Sequence, residues 1–184
     1  MTNYKNILAA LALVAISSTV ATAQTDFGSG MGAGSGAGGA FAPFAPGADA
    51  GGNGRGFAPM SANGQTAFAA TRSSFAGASA TVLVQNAAGG NAEISAAVMQ
   101  ALAGVLSGTP TSAQTTTLTN ALTGAPNAAA LVASLQTFGG APNSTNLGAA
   151  ITTFNASIDG FATGTTPPPV LAAIRYALFQ ASKQ

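Results

Sequence analysis

The charged side chains of this 184-residue sequence are few: Asp26, Asp49, Glu93 and Asp159 against Lys5, Arg55, Arg72, Arg175 and Lys183. A paired-carboxylate hydrolase needs two acids held about 5 to 9 Å apart in a cleft. Glu93 with Asp159 is the pair in which both members fall in helically patterned sequence, since Asp26 and Asp49 lie in Gly-rich stretches. Glu93 equally suits the positively polarised first turn of a helix. Asp159, followed by Gly160, suits a solvated turn or a partner for Arg175. A Ser–Lys nucleophile would rely on Lys183, next to the last residue, where chain ends fray.

The residue types that are missing exclude more. Without His or Cys there is no thiolate or imidazole zinc site, no haem or iron–sulfur ligation through those groups, no Cys nucleophile and no Ser-His-Asp triad. The expectation is therefore no catalytic, cofactor-binding or metal-binding residues, no cofactor, and no small-molecule substrate: a protein that is not an enzyme. Charged residues make up 5% of the chain, against about 25% in an average domain. The scattered bases form no stripe that would follow a phosphate backbone, so nucleic acid is excluded as a partner. Gly34-x-Gly36-x-x-Gly39 has the letters of a dinucleotide fingerprint. A working fingerprint follows a strand and opens a helix, and neither pattern flanks this one.

Residues 1–23 carry the three parts of a secretory signal: Lys5, an apolar run over residues 7–20, and Ala21-Thr22-Ala23 ahead of Gln24. Cleavage is expected between Ala23 and Gln24. The apolar run is shorter than the roughly 20 residues that span a bilayer. Loss of Lys5 leaves as many acids as bases, and a formally neutral surface favours association. The expected location is secreted, periplasmic or extracellular.

Residues 24–60 read as a disordered Gly/Ala/Ser/Pro-rich arm, because such sequence cannot bury enough apolar area to offset the entropy of ordering its backbone. The run Gly32-Ala33-Gly34-Ser35-Gly36-Ala37-Gly38-Gly39 resembles silk-like Gly-Ala-Ser runs in composition, which implies no family. Phe-Ala-Pro recurs at Phe41, Phe44 and Phe57. Exposed rings spaced by Pro act as stickers for a groove or for other copies of the arm, so these three are the candidate self-association or partner contacts. The plainer alternative makes them incidental residues of a biased linker.

Residues 61–184 read as one small helical domain, and the fold class as mostly α. It is a bundle of short helices over about 91–183, reaching back to 62 if the preceding segment belongs to it. For residues 62–86, Phe68, Phe75 and Val82 recur every seven residues as on a helix, while Ala80-Thr81-Val82-Leu83-Val84 is strand-like. The favoured expectation is a helix weakened at Gly77. Ile94, Val98, Leu102 and Val105 mark a helix of about 14 residues with Asn91 as N-cap and Glu93 in its first turn. A 16-residue repeat follows over residues 108–155, in which Gly108-Thr109-Pro110, Gly124-Ala125-Pro126 and Gly140-Ala141-Pro142 each end one helix and prepare the next. Leu131, Leu135 and Phe138 correspond to Leu147, Ile151 and Phe154 one unit later. A last helix is expected from Thr166 as N-cap and Pro167 in the first turn, with Val170, Leu171, Ile174, Ala177 and Leu178 as its apolar stripe. The sequons at Asn143 and Asn155 fall where capping or helix positions already account for the Asn.

These features predict an exported, non-catalytic structural or interaction protein of the cell envelope or extracellular space, whose partner is itself or another envelope protein. The alternative is a membrane-active or apolar-ligand-binding helical module, since its helices are apolar with almost no charge. The short helices and the lack of a Lys/Arg face weigh against insertion.

Overall fold

Ser61 opens the first helix: its hydroxyl accepts the N–H of Gly64 at 3.0 Å, satisfying one donor of the first turn. The computed structural model describes residue 44 and residues 60–85, 91–161 and 165–182. Among the described residues the fold is mostly helical, with α1 (Ala62–Ala76), β1 (Val82–Gln85), β2 (Asn91–Ile94), α2 (Ala96–Val105), α3 (Ser112–Ala121), α4 (Ala128–Gly140), α5 (Ser144–Asp159) and α6 (Val170–Ser182). The α1 helix packs on α2 and α6, α2 on α3, and α4 on α5. No helix among the described residues is long and apolar enough to cross a membrane.

The helix expected over residues 62–86 ends at Ala76 with Gly77 as its C-cap. Beyond it, β1 and β2 form an antiparallel pair in which Val82 faces Ile94 and Val84 faces Ala92. Two-residue alternation explains the switch: Val84 and Ile94 are buried on one face, while Leu83 and Glu93 are exposed on the other. The pairing also overturns the helix start at Asn91. Ser95 is the N-cap, and α2 runs for 10 residues from Ala96. Glu93 thus lies on a strand, not in a helical first turn.

The 16-residue repeat survives as helix and turn, but its three glycines differ. Gly108 (φ 81°) and Gly124 (φ 87°) take the left-handed conformation that ends a helix. Gly140 is the last residue of α4, which ends instead at Ala141, before Asn143 caps α5 by accepting the N–H of Asn146 at 2.9 Å. The reason is a close approach: the turn after α2 lies directly on Gly139 and Gly140, where a side chain at Gly139 would strike the Leu106 carbonyl.

Thr111 and Gln114 close α3 with a capping box: the Thr111 hydroxyl accepts the Gln114 N–H at 3.2 Å, and Gln114 Oε1 accepts the Thr111 N–H at 2.9 Å. Along the same helix Thr119 Oγ1 donates to the Thr115 carbonyl at 2.8 Å, so threonine hydroxyls there serve their own helix. Thr111→Ala is expected to lower stability by about 1 kcal/mol. Urea unfolding checks this as a lower midpoint at unchanged slope.

The last helix starts at Val170, not near Thr166. A residue before proline is driven out of the helical region, so three consecutive prolines keep residues 166–168 out of the helix and let it begin after Pro169. Its first turn is tight, with the Leu171 N–H donating to the Pro168 carbonyl at 3.0 Å. The expected stripe is buried, and so are Ala172, Ala173, Arg175, Gln180 and Ala181. This helix is enclosed on nearly all sides. Leu102, Leu118, Leu131, Leu135, Phe138 and Phe154 complete the core around it, with the Phe68 and Phe138 rings 4.7 Å apart.

Candidate functional site

Helix α5 turns Phe154 into the core and leaves its neighbour Asn155 half-buried at the edge. At that edge sits a residue from the Gly-rich arm. Phe44, expected as an exposed ring, is 2% exposed. Its N–H donates to Asn155 Oδ1 at 2.7 Å, and Asn155 Nδ2 donates to its carbonyl at 2.9 Å. The reverse amide orientation would set donor against donor, so this pairing fixes the side chain. One amide thereby engages both backbone polar groups of Phe44.

The ring is read separately. Phe154 meets it edge-on, with centroids 5.7 Å apart and planes at 79°, the arrangement favoured by ring quadrupoles. The Arg175 guanidinium, on α6 and 9% exposed, lies 4.8 Å from the Phe44 centroid. A desolvated cation over a ring contributes about 2 kcal/mol or more. The site therefore holds an aromatic residue in two ways: two hydrogen bonds to its backbone, independent of side chain, and a ring slot with an aromatic wall and a cationic face.

Of the three expected contact residues, Phe44 is built into the helical domain, while Phe41 and Phe57 lie outside the described residues. The pocket residues Asn155 and Arg175 carried too little signal to be singled out. Asn155 reads as a sequon and Arg175 as a partner for Asp159. A charge inside an otherwise apolar stripe was the available clue, because a buried cation requires a partner.

A second cleft, of about 420 Å³, opens between α1, α2 and α3 beside Arg72, Gln100, Gly104 and Gln114. Its polar groups are turned to the backbone: Gln100 Nε2 donates to the Ala78 carbonyl at 2.6 Å, and Arg72 Nη1 to the Leu106 carbonyl at 3.4 Å. They hold the cleft's walls together and do not converge on a common point. Glu93 and Asp159 are exposed on β2 and at the end of α5. Asp26, Asp49 and Lys183 lie outside the described residues. Among the described residues no acidic cluster is grouped to hold a metal ion.

Comparison with protein-family models, with curated proteins and with solved structures finds no match for this chain.

Proposed function

We propose that the chain is an exported, non-catalytic structural or interaction protein of the cell envelope or extracellular space, released by cleavage between Ala23 and Gln24, that self-associates through its Gly-rich arm. The observation that carries this reading is the docking of Phe44: a residue of the arm is held by a shaped site on the helical domain. Equal numbers of acids and bases after cleavage leave no long-range repulsion between copies. The membrane or apolar-ligand alternative has less support, because the large apolar side chains described are buried in the core or packed against it, with Leu83 the exposed one among them.

Light scattering behind size exclusion on residues 24–184 tests the association. The expected result is a mass that rises with concentration, and rises less in a Phe41→Ala/Phe57→Ala variant that keeps Phe44. A constant monomer mass in both overturns the reading.

A further inference from the structure

We propose that the pocket formed by Asn155, Phe154 and Arg175 is a binding site for Phe-Ala-Pro segments, which exchanges the Phe44 segment of its own chain for the same segment of a second copy. The inference rests on the self-association reading and names its receptor.

The described recognition uses one residue: its backbone N–H and carbonyl through Asn155, and its ring through Phe154 and Arg175. Nothing in those contacts distinguishes a chain's own segment from another's. Phe44 and Asn155 lie 111 residues apart in sequence, so the occupant is brought to the pocket by docking and not by being its neighbour in the chain. Each chain carries three Phe-Ala-Pro segments in its sequence, at Phe41, Phe44 and Phe57, against one such pocket among the described residues. Gly-rich tethers present their own segment at an effective concentration of roughly millimolar. A second copy displaces it only where arms are crowded to a comparable level, as in an assembly. Exchange of identical elements between copies adds no new contact and costs little.

The test uses residues 24–184 carrying Phe44→Leu, which keeps an apolar plug but loses the ring, and a labelled peptide of residues 40–47. Fluorescence anisotropy is expected to show at least tenfold tighter binding to this variant than to the wild-type chain. Replacing both phenylalanines of the peptide by Ala, or adding Asn155→Ala to the protein, is expected to remove the binding. Equal affinity for variant and wild type, or binding indifferent to Asn155, overturns the proposal. The wild-type chain provides a second reading that no substitution can compromise. Its Phe44 amide resonance is expected to move from a docked to a free position as unlabelled peptide reaches millimolar concentration, and a resonance that stays put overturns the exchange. Association by light scattering without peptide binding leaves the self-association reading standing and removes this receptor. Peptide binding with a constant monomer mass shows a working pocket and removes self-association.

Discussion

Gly139→Ala is expected to lower stability by about 3 kcal/mol, the upper part of the range for overpacking, while Gly140→Ala leaves it unchanged or raises it by up to about 1 kcal/mol. The two glycines are adjacent in α4 and differ only in what lies opposite. A Cβ at position 139 would stand 2.5 Å from the carbonyl carbon and oxygen of Leu106 and 2.8 Å from the Gly108 nitrogen. All three are backbone atoms, so no rotamer change relieves the clash and the turn after α2 must lift off α4. At position 140 the nearest atom is the Gly108 Cα at 3.6 Å, an ordinary contact, and Ala gains helix propensity over Gly. Urea midpoints of the two variants beside wild type decide the matter. Similar losses in both would mean that the α2 turn does not rest on the end of α4.

That contact also shows where sequence reading stopped. The glycines at 108, 124 and 140 repeat every 16 residues, and a repeat invites one explanation for all three. Left-handed backbone accounts for Gly108 and Gly124, but Gly139 is small because another segment presses on it, and tertiary contact leaves no local signature. The apolar stripes were legible for a complementary reason. Leu131, Leu135, Phe138, Leu147, Ile151 and Phe154 are all buried as their spacing requires, because helical period and core facing are the same fact viewed twice. The helix expected to open at Asn91 failed because Asn91–Ile94 pairs with Val82–Gln85 across five intervening positions. Over four residues the two-residue alternation is too brief to stand out against a helical spacing, and the pairing that stabilises the strands is not written in either one alone. At the candidate site, Phe-Ala-Pro could be read as a ligand, but its receptor could not. Asn155 and Arg175 acquire their roles only when α5 and α6 come together around a residue from the arm.

Phe44→Ala is expected to destabilise the helical domain by about 3 kcal/mol, the lower end of the range for a buried phenylalanine, although Phe44 lies outside the helices it supports. Asn155→Ala alone is expected to cost about 1 to 3 kcal/mol, because the N–H and carbonyl of the buried Phe44 lose their partner. The two losses should not add. Once Phe44 is gone the segment leaves the pocket, Asn155 is hydrated whether or not it carries an amide, and its replacement costs little more. The double variant is therefore expected to match Phe44→Ala, giving a coupling energy close to the whole Asn155 effect, at the upper part of what contacting pairs show. Urea unfolding of the four chains in residues 24–184 measures this cycle. Additive losses would place Phe44 and Asn155 in separate roles, and the docking geometry would then have no energetic counterpart. A coupling near 2 kcal/mol, from hydrogen bonds of this kind, would tie the arm to the helical domain through this one amide.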